Sequence, residues 1–178
     1  MTKITDIREY IKNNIKNIDN FPKNGVSFKD ISPLFERPEL IDRIIELFAL
    51  ECKDADVIIA PDARGFLFGP LLALEIRRPF VMVRKEGKLP GNTISQEYSL
   101  EYGKSKIEMI IGQIKENQKV VVVDDVLATG GTVEAIQKLI KKQKAEIIKS
   151  LFLVEIQELK GRDRLKKLGV NVHSIIKY

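Results

Sequence analysis

The sequence is poor in the two residue types that most often build disulfides and zinc sites, with one cysteine, Cys52, and one histidine, His173. One cysteine cannot form a disulfide within the chain, and together the two residues cannot complete a four-ligand zinc site. Cys52 lies in an apolar helical stretch, where we expect a core or boundary position. His173 lies in a predicted strand, and we expect it to face solvent rather than act as a catalytic base.

Long apolar runs are scarce as well. No segment approaches the length that a membrane-spanning helix needs, and the first residues, MTKITDIREY, lack the continuous apolar stretch of a signal peptide. We therefore expect a cytoplasmic protein that has no membrane partner.

The excess of positive over negative charge is small, and the basic residues are spread along the chain. The chain carries 30 Lys and Arg residues against 25 Asp and Glu residues, a net charge of +5, and it has no arginine-rich arm. This balance favours small anionic ligands over nucleic acid. With 178 residues, of which 44% are hydrophobic, the chain is long enough for one domain, residues 1–178, with a substantial core.

Short apolar strands alternate with helices along the chain. This order is typical of an α/β protein whose largely parallel sheet is covered by helices on both faces. Isoleucines recur at spacings of three and four over residues 3–18, which predicts an N-terminal packing helix. The other predicted strands lie at 26–31, 56–60, 80–84, 106–111, 119–124, 147–154 and 170–176, and the other helices at about 38–51, 66–76, 132–142 and 159–168.

Three loops should meet at one edge of this sheet, because ligands of such sheets bind at the carboxyl ends of the strands. These loops are Pro61–Gly65, Arg84–Tyr102 and Asp124–Thr132. The middle one belongs to a long segment, residues 85–104, that holds glycines, a proline and polar residues. Its length and composition predict a structureless binding loop that can close over the other two.

The segment Val120–Thr132, VVVVDDVLATGGT, carries the most chemistry. A β-branched run ends in the acid pair Asp124 and Asp125, and a small-residue loop then opens a helix. Backbone N–H groups at a helix start suit a phosphate, whereas the two carboxylates suit sugar hydroxyls or a metal ion. A ribose 5-phosphate satisfies both. The alternative is a solvated acid pair followed by an ordinary helix cap at Thr129 or Thr132.

Four motifs together resemble a known family. VVVVDDVLATGGT resembles the phosphoribosyl-diphosphate motif of the type I phosphoribosyltransferases, and it lacks the GxxxxGK[ST] order of nucleotide triphosphatases. The other motifs, in matching order, resemble the adenine-specific branch of that family and extend the likeness over nearly the whole chain. They are GVSFKDISP at Gly25–Pro33, PDARGFLFG at Pro61–Gly69, and RKEGKLPG at Arg84–Gly91 with YSLEYGK at Tyr98–Lys104.

The resemblance implies a type I phosphoribosyltransferase fold, in which a mainly parallel central sheet is flanked by helices. It adds an N-terminal hood, residues 1–35, and a flexible catalytic lid loop, residues 84–104. It also implies that 5-phosphoribosyl 1-diphosphate and adenine give AMP and diphosphate, with Mg2+ as cofactor. The expected partners are these small molecules and a second copy of the chain in a homodimer, with no nucleic acid.

The family motifs assign the donor site residue by residue. Asp124 and Asp125 are expected to accept hydrogen bonds from the ribose hydroxyls and to reach Mg2+ only through water, since the metal is carried by the diphosphate and has no direct protein ligand. The 5-phosphate is expected to bind the loop residues Ala128, Thr129, Gly130, Gly131 and Thr132.

The diphosphate is expected to lie against the PDARG turn and the start of the lid loop. The resemblance implies a cis peptide between Asp62 and Ala63, and Glu86 stands where the family has an uncharged or basic residue. A plain surface arginine and a solvated basic segment are the alternatives. The expected diphosphate residues are Asp62, Ala63, Arg64, Arg84, Lys85 and Lys88.

The resemblance assigns catalytic roles to Arg64, Lys85 and Glu101. Glu101 matches the residue proposed as general acid at purine N7, a role that needs a raised pKa. An exposed loop glutamate is its alternative. Tyr102 is expected either to contact ligand or to anchor the lid.

The adenine site is expected in the hood. The main chains of Ser27 and Lys29 should read the edge of the base, and Phe28 should stack on it, although Phe28 also fits a core aromatic. Val126 should form the opposite wall, where the family often has the larger leucine.

Two rival functions remain open. One is a related transferase that acts on a 6-oxopurine or on orotate, and the hood and LEYGK motifs argue against it. The other is a non-catalytic regulator that senses phosphoribosyl diphosphate and binds DNA, but the N-terminus offers no pair of recognition helices.

Overall fold

The computed structural model describes residues 4–100 and 103–178, so the predicted residues Glu101 and Tyr102 lie outside the described part of the chain. The chain divides into two compact units, residues 1–47 and 48–178. No helix of the described ranges is long and apolar enough to cross a membrane.

The first unit contains α1 (Ile4–Asn13), β1 (Lys16–Asp19), β2 (Ser27–Asp30) and α2 (Ser32–Phe35), and α3 (Pro38–Ala49) begins in it. The helix predicted over 3–18 is therefore wrong beyond Asn13. The side-chain amide of Asn14 donates to the Tyr10 carbonyl at 2.9 Å, and β1 then pairs with β2 in antiparallel register. Strand pairing opposite β2 thus overrides the isoleucine periodicity after Asn13.

The second unit is built on one sheet of order β5-β6-β4-β3-β7-β8-β9. Strands β4, β3, β7, β8 and β9 run parallel. At one edge β6 pairs antiparallel with β4, and β5 pairs antiparallel with β6. This arrangement confirms the predicted α/β class and mainly parallel sheet. The strands are β3 (Val57–Pro61), β4 (Phe80–Lys85), β5 (Thr93–Leu100), β6 (Gly103–Ile110), β7 (Lys119–Leu127), β8 (Glu146–Glu155) and β9 (Val172–Lys177).

Helices connect these strands in the positions that the sequence predicts. The stretch predicted as one helix over 66–76 is a 3-10 helix, Arg64–Leu67, followed by α4, Gly69–Glu75. The remaining helices are α5, Gly131–Lys142, and α6, Gly161–Lys167, which follows a short 3-10 helix at Gln157–Leu159.

The segment predicted as a structureless connection, residues 85–104, is largely a hairpin, and that prediction is wrong. Gly87, Pro90 and Gly91 lie before β5, which begins at Thr93 and pairs with β6 over the full length of both strands. The strand sequence TISQEYSL is rich in β-formers but has little apolar patterning. An edge strand with one solvated face can tolerate such a sequence.

The core of the second unit lies around β3 and β7. Val120 to Val123 are fully buried, as are Ile58, Ile59 and Ala60 of the neighbouring strand. The apolar face of α5, with Ile136, Leu139 and Ile140, packs in one cluster with Ile59, Val120 and Val122. The predicted buried character of both strands is thereby confirmed.

The single cysteine and the single histidine lie in different parts of the second unit. Cys52 is buried, as predicted, and its thiol donates to the Phe48 carbonyl at 3.2 Å. His173 lies on β9, and its Nδ1 is 3.5 Å from Oε1 of Glu51, with only 24% of its side chain exposed. It is a strand residue, as predicted, but it faces solvent less than the sequence indicated.

Candidate active site

The acid pair lies inside a strand rather than at its end. β7 continues to Leu127 and stays in register with β8 up to the pair Leu127 and Glu155, so the prediction that the strand ends at Asp124 is wrong. The backbone N–H of Asp125 donates to Oδ1 of Asp124 at 2.9 Å. The two carboxylates are therefore held next to each other on an ordered backbone.

Burial governs the protonation of this pair. Asp125 is 4% exposed, and Asp124 is half-buried. Burial raises the pKa of Asp124 well above its usual value, and repulsion from Asp125 adds to the effect. Burial also raises the pKa of Asp125, while the Arg64 guanidinium counteracts part of that rise. Such a pair favours a ligand that donates hydrogen bonds or brings positive charge.

The small-residue loop follows the strand directly. Gly130 has φ = 79°, a left-handed conformation that glycine adopts without strain, and α5 begins at the next residue. The backbone N–H of Glu134 donates to the Gly130 carbonyl at 3.0 Å. Thr129 is exposed, whereas Gly130 and Gly131 are buried. The N–H groups of this first helical turn have no acceptor within the helix, which is the condition for anion binding.

A carboxylate in the first turn of α5 is neutralised by two cations. Glu134 Oε2 lies 2.6 Å from Nε of Arg164, and Glu134 Oε1 lies 2.8 Å from Nζ of Lys138. Hydrogen bonds from Lys138 and Arg164 lower the pKa of Glu134. Its negative charge is therefore offset near the start of α5, where a phosphate would otherwise be repelled.

The PDARG turn packs directly against the acid pair. The Asp62–Ala63 peptide is cis, as the resemblance predicts, and Nε of Arg64 lies 2.7 Å from Oδ2 of Asp125. A Cβ at Gly65 would lie 3.1 Å from Oδ1 of Asp124 and 2.9 Å from Cδ of Pro61. The predicted ribose and diphosphate residues are thus in direct contact.

Arg84 joins this turn to the loop after β4. Its Nε lies 3.2 Å from Oδ2 of Asp62, and its Nη1 donates to the carbonyl of Lys88 at 3.0 Å. The side chains of Lys85 and Lys88 are exposed. Of the predicted diphosphate residues, Arg64 is ion-paired with Asp125 and Arg84 with Asp62, whereas the two lysines face solvent.

Glu108 was not predicted as a site residue, yet its carboxylate organises the loop after β4. The residue is 4% exposed. Its Oε1 accepts hydrogen bonds from the N–H groups of Lys88 and Leu89, both at 3.1 Å, and its Oε2 accepts from the Thr93 hydroxyl at 3.1 Å. Glu108 lies in an alternating strand where a polar residue ordinarily faces solvent, which is why its role could not be predicted.

Glu86, which departs from the family pattern, has a counter-charge on the neighbouring strand. Its carboxylate forms an ion pair with Nζ of Lys106, and its backbone N–H donates to the Lys106 carbonyl at 3.0 Å. The negative charge that Glu86 adds near the diphosphate residues is therefore compensated locally.

The predicted adenine residues of the hood lie on β2 in the first unit. Phe28 is half-buried, and the ring of Phe21 meets it edge-on with a centroid separation of 5.2 Å. Nζ of Lys29 donates to Oδ1 of Asn17 at 2.8 Å and to the Ser27 hydroxyl at 3.3 Å. Val126, the predicted second wall, is half-buried on β7 in the second unit.

Comparison with known proteins decides the family. The model of the family described as "Phosphoribosyl transferase domain" matches residues 31–177. A curated relative, adenine phosphoribosyltransferase of Mycoplasmopsis agalactiae, is 49% identical over 173 residues, which cover 97% of this chain and 99% of the relative. The chain belongs to the adenine phosphoribosyltransferase family.

Solved structures of this family share the fold. The enzyme of Thermoanaerobacter pseudethanolicus is 43% identical and superposes with a TM-score of 0.91, over 96% of this chain and 99% of that one. The enzyme of Saccharomyces cerevisiae, complexed with adenine and an imino-altritol bisphosphate, is 35% identical with a TM-score of 0.90, over 96% and 99% of the two chains. The type I phosphoribosyltransferase fold predicted from the sequence is thereby confirmed.

Proposed function

We propose that this protein transfers the 5-phosphoribosyl group of 5-phosphoribosyl 1-diphosphate to adenine, giving AMP and diphosphate in purine salvage. The observation that carries the proposal is the contact of Arg64 with Asp125, which joins a cationic turn to the acid pair that precedes the phosphate-type loop. A sugar with a phosphate at one end and a diphosphate at the other needs three such neighbouring subsites. The names of the relatives and the adenine in the yeast complex support adenine as acceptor.

The geometry of the second unit supports the proposed donor subsites. Asp124 and Asp125 accept hydrogen bonds from the two ribose hydroxyls, and the N–H and hydroxyl groups of Ala128–Thr132 hold the 5-phosphate. The diphosphate lies along Asp62–Arg64 and is reached by Arg84, Lys85 and Lys88. As the bond from the sugar to diphosphate breaks, negative charge grows on the departing group, and Arg64 and Lys85 stabilise that charge.

The residues of the acceptor subsite are proposed from the family motifs. In the first unit, the ring of Phe28 stacks on adenine and main-chain groups of Ser27 and Lys29 read its edge. In the second unit, Val126 is the proposed adenine-binding residue. Glu101 donates a proton at purine N7, and Tyr102 contributes to the lid formed by residues 84–104. The hood is residues 1–35, and the whole chain acts as one phosphoribosyltransferase domain.

Mg2+ fits this site as a companion of the substrate. Proteins typically hold Mg2+ through one or two carboxylates together with substrate phosphates, and a nearby cation would favour the ionised forms of Asp124 and Asp125, whose pKa values burial raises. When bound, Mg2+ supplies charge neutralisation for the diphosphate. Asp124 and Asp125 would reach it through water.

A homodimer in the cytoplasm completes the proposal. Three leucines are exposed on the first 3-10 helix and on α4, at spacings of four and three residues. They are Leu67, Leu71 and Leu74, which are 40%, 41% and 77% exposed. Exposed apolar side chains grouped in this way are typical of a subunit contact. This surface begins three residues after Arg64, so the contact lies near the diphosphate turn.

The test is AMP formation from adenine, 5-phosphoribosyl 1-diphosphate and Mg2+, with hypoxanthine, guanine and orotate as alternative acceptors. We expect turnover with adenine and at most a few per cent of that rate with the others. Turnover of hypoxanthine or orotate at the adenine rate would overturn the proposed acceptor. The absence of turnover with all acceptors, together with retention of a DNA fragment in a gel shift, would overturn the proposed activity.

A further inference from the structure

The helix α6 follows the acid pair by more than thirty residues, yet it packs against the phosphate-type loop. A Cβ at Gly161, its first residue, would lie 2.2 Å from the carbonyl oxygen of Ala128 and 2.8 Å from Cδ1 of Leu127. A Cβ at Gly130 would lie 3.1 Å from the Gly161 carbonyl oxygen and 3.2 Å from Cγ of Leu165. Two glycines thus allow the loop and the start of α6 to approach at backbone distance.

The helix is the rigid side of this contact. The guanidinium of Arg162 donates to both oxygens of Glu155, at 2.8 and 2.5 Å, and also to the Val172 carbonyl at 2.7 Å and the Ser174 hydroxyl at 3.2 Å. Glu155 and Ser174 are themselves buried, and Leu165 is fully buried. A helix held by a partly buried bidentate ion pair and a core leucine resists displacement.

The loop is the compliant side. Thr129 is exposed and Ala128 is half-buried. An atom added at Gly161 would therefore displace the Ala128 carbonyl more easily than it would displace α6.

The displaced carbonyl belongs to the same planar peptide as the N–H of Thr129. Because the peptide unit is rigid, a rotation that moves the Ala128 oxygen turns the Thr129 N–H with it. In the proposed function that N–H is one of the donors to the 5-phosphate. The position of α6 thus fixes the direction of a phosphate-binding donor.

We propose that Gly161 is a positioning residue for the 5-phosphate site, and that α6 sets the orientation of the Ala128–Thr129 peptide through it. Gly161 contacts no substrate and acts only through the loop. The inference deepens the proposed function and rests on the assignment of the loop to the 5-phosphate. It predicts a selective loss, in which the 5-phosphate end of a ligand binds less tightly and the diphosphate end is unaffected.

The test is Gly161→Ala in the full chain, with calorimetric titration of ribose 5-phosphate and of diphosphate with Mg2+. We expect the Kd for ribose 5-phosphate to rise about 10- to 100-fold, the equivalent of one hydrogen bond to a charged group, and the Kd for diphosphate to stay within about twofold. A 1H–15N spectrum should show the Thr129 amide resonance shifted in the unliganded variant and less responsive to added ribose 5-phosphate.

Gly69→Ala is the matched control, because a Cβ there would lie 2.5 Å from Cε2 of Phe80 and 2.8 Å from Cβ of Ala60, away from the loop. We expect it to lower Tm comparably and to leave the ribose 5-phosphate Kd within about twofold. If Gly161→Ala does not fold, Leu165→Ala takes its place, because it removes the side chain next to Gly130 without adding an atom. We then expect a selective rise of about three- to tenfold in the Kd for ribose 5-phosphate.

The outcomes separate the inference from the function on which it rests. Failure of the wild-type protein to bind ribose 5-phosphate would overturn the proposed loop function. The positioning role would be overturned if a folded Gly161→Ala protein bound ribose 5-phosphate as tightly as the wild type. If Gly161→Ala does not fold, wild-type binding by Leu165→Ala would overturn it. An equal loss of ribose 5-phosphate and diphosphate binding in the variant would also overturn it.

Discussion

Nε of Arg64 lies 2.7 Å from Oδ2 of Asp125, so the turn proposed to hold the diphosphate is ion-paired with the strand proposed to hold the ribose. Asp125 is buried and Arg64 is 39% exposed on its side chain. Removing the arginine would leave a buried carboxylate without that partner, which is costly. Removing the carboxylate leaves an arginine that water can solvate.

This asymmetry predicts coupled effects on stability. We expect Arg64→Gln to lower the free energy of unfolding more than Asp125→Asn does, and the double variant to lose less than the sum of the two single losses. The difference, the coupling energy, should be about 0.5–3 kcal/mol. Urea unfolding of the four proteins measures it, and strictly additive losses would contradict a direct interaction.

A second prediction concerns Asp124, whose pKa burial raises well above its usual value. The folded protein then holds this proton more tightly than the unfolded chain, so stability falls as pH rises from about 3.9, the unfolded value, through the folded pKa. Below pH 3.9 both states are protonated and the residue has no such effect. Asp124→Asn removes this loss while its side-chain oxygen can still accept from the Asp125 N–H.

We therefore expect Asp124→Asn to equal the wild type in stability near pH 3.5 and to exceed it increasingly at higher pH. At pH 7 the gain in Tm should be about 2–4 °C, which corresponds to ~1 kcal/mol for a chain of this size, whereas AMP synthesis should fall sharply. Calorimetric scans between pH 3.5 and 8 would show the trend. The exposed Asp54→Asn is the control, and a parallel pH profile for both variants would contradict the prediction.

Glu108 provides a third prediction, since it holds the N–H groups of Lys88 and Leu89 from inside the sheet. In Glu108→Leu these two groups lose their acceptor, and the loop that carries Lys88 is released. We expect the KM for phosphoribosyl diphosphate to rise about tenfold or more, since each lost buried hydrogen bond costs ~1–3 kcal/mol, with little change in the KM for adenine.

Glu108→Gln is the conservative comparison, because its carbonyl oxygen can accept from the same two N–H groups. Its KM for phosphoribosyl diphosphate should stay within a few-fold of the wild-type value. Steady-state kinetics of both variants decide the matter. An equal rise in the KM for phosphoribosyl diphosphate in Glu108→Gln and Glu108→Leu would show that the charge of Glu108 matters, rather than the geometry of the loop.

The ion pair of Glu86 and Lys106 yields a fourth prediction. Lys106→Glu would place two acids next to each other beside the diphosphate residues, and we expect the KM for phosphoribosyl diphosphate to rise about three- to tenfold at low salt. Adding Glu86→Lys restores an ion pair of reversed direction and should return the KM to near the wild-type value. Unfolding free energies should change little, because the pair is exposed. A double variant as impaired as Lys106→Glu would contradict local compensation.

The single cysteine gives a fifth prediction. Burial raises the pKa of the Cys52 thiol to about 12, so at pH 8 the reactive thiolate is only about one part in ten thousand. A disulfide reagent should therefore modify the native protein very slowly and the urea-unfolded protein in seconds. The urea midpoint for labelling should coincide with that from circular dichroism. Rapid labelling of the native protein would show that this region opens locally.

The elements that the sequence predicted best are those set by local patterns. The β-branched run of β7 and the glycines after it mark a buried strand and a helix start, and the structure has both. The end of β7 was predicted too early because two adjacent acids, Asp124 and Asp125, are typical of a strand end. Pairing with β8 extends the strand beyond them. Tertiary pairing decided that boundary.

The partners of the site residues could not be predicted, because they depend on contacts between distant segments. The ion pair of Arg64 and Asp125 joins the 3-10 helix after β3 to β7, and Glu108 on β6 reaches the loop after β4. Gly161 has no sequence signal, since its importance comes from the Ala128 carbonyl that lies above it only in the folded chain. Motif resemblance locates the residues of a site, and the fold supplies what holds them.

The hairpin of β5 and β6 changes the thermodynamics expected for residues 93–100 and 103–110. A structureless segment would lose about 1–2 kcal/mol of backbone conformational entropy for each residue that became ordered on a bound substrate. Here cross-strand pairs from Thr93 with Ile110 to Leu100 with Gly103 already fix these backbones. That entropy is lost when the protein folds, so more of the binding free energy remains available for holding the substrate.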